Sequence, residues 1–185
     1  MFLRDMSMTT KWDPAIQAGF EAIRAKWGAD PRSVPFYLMC GVRPSTIEEL
    51  GTYTVGDRDL EIEGVPGSDQ VAHVRWGGLD APAMVIPRFN GLSTLEWDLH
   101  TVVHEWGHVL HCSLGGEDFG LPNITTYAED YPEEQFAECF TWWVLGPERY
   151  WAQRDWQKLD GDSSDIELLF QGLKKRYGQS EPKPS

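Results

Sequence analysis

The chain is poor in cysteine and in positive charge. Its 185 residues include three scattered cysteines and no CxxC pair, which disfavours both a disulfide framework and a cysteine-rich zinc site. Sixteen Lys and Arg residues stand against 29 Asp and Glu residues, giving a formal net charge of −13. A surface of that sign repels phosphate backbones and anionic lipid. We therefore expect neither a nucleic-acid partner nor a membrane partner.

Long apolar runs and a targeting segment are also missing. No stretch approaches the length of about 18 uninterrupted apolar residues that predicts a membrane span. The start, MFLRDM, has too little basic and apolar character for a secretory signal, so we expect a cytoplasmic protein. The length suits one domain. We predict this domain over residues 1–178, followed by a flexible tail over residues 179–185.

Hydrophobic periodicity divides the chain into two halves. Apolar residues spaced by three and four over residues 12–27 predict a first helix. Short apolar or alternating runs between about residues 36 and 86, punctuated by glycine and proline, predict strands. Further helical patterns lie near residues 93–116, 130–145, 147–159 and 164–176. This order predicts an α+β fold with a small N-terminal sheet region and a helical C-terminal half.

Start signals precede both central helices. Ser93 and Glu96 form a capping-box pattern before the first, and Asp130 and Glu133 form another before the second. Pro132 fits an early helical position of the second helix. We therefore expect two helices whose N-termini are capped by side chains.

Four of the five histidines lie between residues 100 and 111, in the pattern HTVVHEWGHVLH. Four residues of helix turn through about 400°, so His104 and His108 project from nearly the same face. Both imidazoles can then reach one metal ion at about 2.0–2.1 Å. Glu105 is rotated by about 100° from His104 and can hold a water molecule beside the metal. His100 and His111 follow the same stripe, and we expect them to pack or to orient the ligands.

A catalytic zinc site needs a third protein ligand and one open position. The second helix offers Glu133, Glu134 and Glu138. Because Glu134 and Glu138 are four residues apart, they can face the same way. A carboxylate on a mostly apolar helix is costly to bury unless it has a partner, and a metal ion is such a partner. The alternative is a solvated helix face, so the residues alone leave the third ligand open.

The segments HEWGHVLH and EEQFAECF resemble those of gluzincin-type zinc metallopeptidases, in particular the minimal lethal-factor-like and proline-proline endopeptidase group. The resemblance covers about residues 93–145 and implies a zincin-like metallopeptidase domain. It implies that Glu134, the first glutamate of E-x-F-A-E, is the third zinc ligand and that Glu138, the second, orients a neighbouring side chain. Tyr127, seven residues before Glu134, is implied to assist the reaction. The chain departs from the group, whose members are usually exported and commonly have an acidic residue where His111 stands.

Together with the resemblance, these residues predict a zinc-dependent endopeptidase that acts on a peptide or protein substrate. The Zn²⁺ ligands would be His104, His108 and Glu134. Glu105 would accept a proton from the zinc-activated water, as a general base. Tyr127 would donate a hydrogen bond to the developing oxyanion.

Two alternatives stay open. The chain could be a catalytically silent, zinc-stabilised structural or interaction domain, such as a viral or regulatory accessory protein. Cys112 or Cys139, on the two helices concerned, could then close the site as a fourth ligand. Against this, a purely structural site has no use for a carboxylate such as Glu105 beside the metal. The second alternative is a hydrolase that uses the same zinc centre on a substrate other than a peptide.

Overall fold

The computed structural model describes the backbone of residues 13–31, 34, 37–42, 51–55, 58–62, 73–75, 82–87, 95–129, 131–151 and 163–177. Its helices are α1 (Asp13–Trp27), α2 (Leu95–Ser113), α3 (Pro132–Leu145), α4 (Pro147–Trp151) and α5 (Ser163–Tyr177). None of these described helices is long and apolar enough to cross a membrane. The predicted tail, Ser93 and Asp130 of the capping boxes, and the end of the helix predicted over residues 147–159 lie outside the described residues.

Five short strands lie between α1 and α2. They are β1 (Tyr37–Val42), β2 (Gly51–Val55), β3 (Arg58–Ile62), β4 (His73–Arg75) and β5 (Ala83–Pro87). The backbones of β1 and β4 pair with β5, and that of β2 pairs with β3. Among the strand side chains, the structure describes the partly buried Val74 and the fully buried Met84.

The predicted α+β class is wrong for the part of the chain that the structure describes with its side chains. Helix accounts for 72% of the residues in that part and strand for almost none. The part with described side chains therefore does not show the small N-terminal sheet region. The physical reason lies in the core, where nearly all the described buried apolar side chains come from helices and Met84 is the strand residue among them. Alternating apolar residues favour extended backbone, but they do not determine which elements form the core.

Close helix contacts depend on glycine at two positions. On α2, a Cβ added to Gly107 would lie 3.0 Å from Cα of Ala137 and 3.3 Å from Cδ1 of Phe140, both on α3. On α1, a Cβ added to Gly19 would lie 2.6 Å from Cγ1 of Val102 on α2. The missing side chains therefore allow α2 to pack directly against both neighbours, and the first turn of α3 comes to lie beside the histidine face of α2.

Behind that face lies a cluster of five buried aromatic rings from four helices, which we call the aromatic cluster. The ring of Trp27 is 6.5 Å from Trp106, 6.4 Å from Phe140 and 6.3 Å from Trp143 between centroids, and it meets all three edge-on. Trp143 also stacks on Phe170 at 5.4 Å. Aromatic pairs in such arrangements contribute about 0.5–1.5 kcal/mol each beyond their area burial. The aromatic cluster thus joins α1, α2, α3 and α5.

The ends of the two central helices agree only in part with the sequence signals. As predicted, glycines close α2: Gly115 and Gly116 have φ of 100° and 68°, and the N–H of Gly116 donates to the carbonyl of His111 at 3.0 Å. The predicted side-chain cap of α3 is wrong, because its N-cap is Tyr131, which makes no side-chain cap hydrogen bond. Pro132 opens this helix as predicted, and it brings no N–H group that would need a cap.

Candidate metal centre

Three side chains with metal-ligand chemistry converge where α2 meets the first turn of α3. The Nε2 atom of His104 lies 3.1 Å from Oε2 of Glu134, and Nε2 of His108 lies 3.4 Å from the same oxygen. One donor atom from each residue lies within 4.8 Å of the other two. Among the described residues, His104, His108 and Glu134 therefore form a group that could hold a metal ion.

Two distances in this group are close to those between ligands of one metal ion. Bonds of about 2.0–2.1 Å place two donor atoms of a tetrahedral site about 3.3–3.4 Å apart. In the structure, the separations of the two histidine Nε2 atoms from Oε2 of Glu134 are 3.1 and 3.4 Å. The imidazole rings of His104 and His108 are 4.9 Å apart between centroids, with their planes at 84°. Imidazole and carboxylate groups are both common ligands of metal ions in proteins.

A second carboxylate, from Glu138, lies on the far side of the His104 ring. Its Oε1 is 2.9 Å from Nδ1 of His104, and the Glu138 side chain is fully buried. With Nδ1 directed at this carboxylate, Nε2 of the same ring faces Glu134. The structure therefore places Glu138 beside a ligand and outside the ligand group. Glu133, the remaining candidate, is exposed.

His104 and Glu134 each stabilise the charged form of the other. Burial lowers the pKa of His104, but hydrogen bonds to Glu134 and Glu138 and the charges of Glu138 and Glu105 outweigh it and raise this pKa to about 10. Burial raises the pKa of Glu134, but the imidazoles of His104 and His108 hold it well below its usual range. A charged His104 is thus favoured at neutral pH, and this proton must leave before its Nε2 can bind a metal.

Glu105 is buried next to the ligands. Its side chain is 4% exposed, and its charge raises the pKa of both His104 and Tyr127. The Glu105 carboxylate is therefore close enough to both groups for its charge to affect their protonation.

Tyr127 approaches the centre from the loop between α2 and α3. Its ring centroid is 6.2 Å from that of His104. Burial raises the pKa of its hydroxyl above the ordinary value, as do the charge of Glu134 and a hydrogen bond to Glu134, so the hydroxyl remains a donor at neutral pH. The loop is held by backbone hydrogen bonds from Ala128 to Thr125 at 3.3 Å and from Tyr131 to Ala128 at 3.2 Å. The ring is 43% exposed and therefore accessible to a ligand.

The two remaining histidines of α2 have different surroundings. The Nε2 of His111 lies 2.8 Å from the carbonyl of Glu117, and its ring stacks on Phe136 at 4.8 Å. This residue packs the loop onto α3, in agreement with the packing role expected for it. His100 is buried and lies 6.4 Å from the His104 ring with the planes at 17°. Its expected role beside the ligands therefore fits its position.

Neither cysteine of the two helices joins the ligand group. The thiol of Cys139 donates to the carbonyl of Pro122 at 3.4 Å, and burial raises its pKa. Burial also raises the pKa of the Cys112 thiol to about 12. The geometry gives no support to a closed site that uses either of them.

Two partners of Glu138 were missed by the sequence analysis. Oε2 of Glu138 accepts hydrogen bonds from the hydroxyls of Tyr150 and Thr125. Tyr150 is on α4 and Thr125 is in the loop before α3. No motif spacing connects either residue with Glu138, so no local sequence signal could have identified them.

Comparison with protein-family models, with curated proteins and with solved structures finds no match to this chain. The resemblance to gluzincin-type metallopeptidases therefore stays a prediction that depends on two short segments. The ability of His104, His108 and Glu134 to hold a metal ion depends on their positions in the structure.

Proposed function

We propose that this protein is a zinc-dependent endopeptidase of the gluzincin type. The observation that carries the proposal is the convergence of His104, His108 and Glu134 from two helices, with Glu105 buried beside them. This combination supplies three protein ligands, an open position and a candidate base, which together are what zinc-assisted hydrolysis needs.

The reaction assigns separate tasks to the side chains. When bound, zinc supplies a Lewis acid that lowers the pKa of water towards about 7. Glu105 accepts the proton of the attacking water and delivers it to the leaving amine. Its burial supports this role, because a base shielded from bulk solvent keeps the proton close to the reacting atoms.

Tyr127 is the candidate for stabilising the oxyanion. Its hydroxyl hydrogen-bonds Glu134 and keeps its proton at neutral pH. A substrate carbonyl at the open position would lie within the region that this hydroxyl can reach. Donation to the developing negative charge would stabilise the transition state more than the ground state.

The alternative of a silent structural zinc domain has less support. Structural zinc sites are usually closed by four protein ligands, and the group found among the described residues has three. A buried carboxylate at Glu105 also has a cost that a structural site would not need to bear.

The test is the metal content of the purified protein, followed by cleavage of a mixed peptide library. We expect about one zinc per chain, cleavage by the untreated protein, loss of cleavage with a chelator and recovery when zinc is restored. Stoichiometric zinc without cleavage of any peptide would favour the structural alternative. Protein that neither contains zinc nor binds it on titration would refute the proposed metal centre itself.

A further inference from the structure

Glu138 has an environment that divides its two oxygens between two tasks. The side chain is fully buried, and a buried carboxylate is costly unless it is both paired and hydrogen-bonded. Oε1 lies 2.9 Å from Nδ1 of the ligand His104. Oε2 accepts hydrogen bonds from the hydroxyls of Tyr150 and Thr125, the latter at 3.4 Å. One oxygen therefore faces the metal centre, and the other is held by two hydroxyls from outside α3.

The Tyr150 side chain is itself fixed in place. It is fully buried, and its ring centroid is 5.3 Å from that of His100, which in turn stacks on His104. Its N–H donates to the carbonyl of Gly146 at 3.0 Å. Gly146 has φ of 81° and connects α3 to α4. The turn and the ring contact together bring the Tyr150 hydroxyl back to the middle of α3.

We propose that Tyr150 is a positioning residue of the metal centre, which locks the Glu138 carboxylate so that His104 presents Nε2 to the metal. With Oε2 held by the hydroxyl, Oε1 stays directed at Nδ1 of His104. A carboxylate this close to Nδ1 favours the proton on Nδ1, which leaves the Nε2 lone pair of the imidazole available to a metal. This role rests on the metal centre of the proposed function, and Tyr150 need not touch metal or substrate.

The test replaces Tyr150 with phenylalanine, which keeps the ring against His100 and removes the hydroxyl. Loss of a partner that orients a ligand typically lowers metal affinity about 10- to 100-fold. Because Tyr150 acts through Glu138, we expect about a 10-fold loss of zinc affinity for Tyr150→Phe and a larger one for Glu138→Gln. Thr125→Val removes the longer hydrogen bond to the same oxygen and should have a smaller effect in the same direction.

Thr141→Val is the matched control. This residue is also fully buried on α3, but its hydroxyl donates to the carbonyl of Ala137 at 2.7 Å. The Thr141→Val variant should lose this buried hydrogen bond and keep the zinc affinity of the unchanged protein.

The measurements are zinc competition against a chromophoric chelator and the visible spectrum of the Co²⁺-substituted protein, both on the full chain. We expect Tyr150→Phe to bind zinc more weakly and to change the Co²⁺ bands, and to have no further effect in a Glu138→Gln background. Two results would overturn the role of Tyr150 without affecting the proposed metal centre. One is a zinc affinity and Co²⁺ spectrum of Tyr150→Phe identical to those of Thr141→Val. The other is a loss of affinity in the Tyr150→Phe/Glu138→Gln double variant that equals the sum of the two single losses. If Tyr150→Phe does not fold, a zinc affinity of Glu138→Gln equal to that of Thr141→Val overturns this role, because Tyr150 is proposed to act through Glu138. A wild-type chain that binds neither ion refutes the metal centre as well.

Discussion

Replacing Gly107 with alanine tests whether metal binding needs the close contact between α2 and α3. The added Cβ would lie 3.0 Å from Cα and 3.4 Å from Cβ of Ala137. Ordinary van der Waals contacts of a Cβ begin at 3.4 Å, so the backbone of Ala137 has to move by a few tenths of an ångström. Neither atom of Ala137 can move away by side-chain rotation. The helices therefore have to separate.

The candidate metal ligands lie on both sides of this contact. Gly107 immediately precedes His108, and Ala137 comes three residues after Glu134. Metal sites tolerate deviations of about 0.2 Å in ligand distances, which is less than the required movement. Overpacking costs about 1–3 kcal/mol. If the metal-bound state keeps this strain and the metal-free state relieves it, zinc affinity falls about 10- to 100-fold, since about 1.4 kcal/mol corresponds to a factor of ten.

The assay is zinc competition by chelator titration, together with thermal melting in the presence of chelator. Alanine has a helix propensity about 1 kcal/mol better than glycine, so the metal-free Gly107→Ala protein should lose at most about 2 kcal/mol of stability. Gly172→Ala on α5 is the control, because a Cβ there meets nothing within 4 Å. It should gain about 0.5–1 kcal/mol with unchanged zinc affinity. If Gly107→Ala keeps its zinc affinity and gains stability, as Gly172→Ala should, metal binding does not need the close contact between α2 and α3.

Four further predictions concern single side chains. Glu105→Gln should keep zinc and lose at least about 100-fold in peptide hydrolysis, and full activity would exclude the general-base role. Glu134→Ala should weaken zinc binding in a chelator titration far more than the exposed Glu133→Ala, whereas equal losses would mean that the ligand is wrong. Tyr127→Phe should lower kcat about 100-fold, and an unchanged kcat would remove its role at the oxyanion. Because the pKa of His104 is raised from 6.5 to about 10, the folded chain holds more protons than the unfolded chain between these values, so the melting temperature of chelator-treated protein should fall across that range. A melting temperature that rises there would contradict this coupling.

The local part of the candidate metal centre was predictable from sequence. His104 and His108 share a helix face because they are four residues apart, which is about one helical turn. This relation depends on local helix geometry alone. The end of α2 at two glycines was predictable for the same reason, because the backbone conformation needed there suits glycine. For the third ligand the residues left three glutamates open, and the resemblance indicated Glu134. In the structure Glu134, and not Glu133 or Glu138, lies with the two histidines in the group that could hold a metal ion.

The parts that depend on distant contacts were not predictable. Alternating apolar residues predicted a sheet region, but the described core consists mainly of helices, and burial depends on partners far away in the chain. The sequence pattern placed a side-chain cap before α3, where the structure has Tyr131. Tyr150 meets Glu138 through the turn at Gly146 and the packing of its ring on His100. Neither the turn nor this ring packing produces a periodic pattern in the sequence.

The aromatic cluster sets a lower limit on how far this protein could be shortened. Trp27 and Phe170 belong to α1 and α5, outside the segment 95–145 that contains all three candidate ligands. An excised peptide of α2 and α3 would present Trp106 and Trp143 to water, and large apolar side chains cost about 1.5–3 kcal/mol each when exposed. We expect such a peptide to self-associate through this face. We therefore expect the smallest unit that folds on its own to be larger than the segment that contains the candidate ligands.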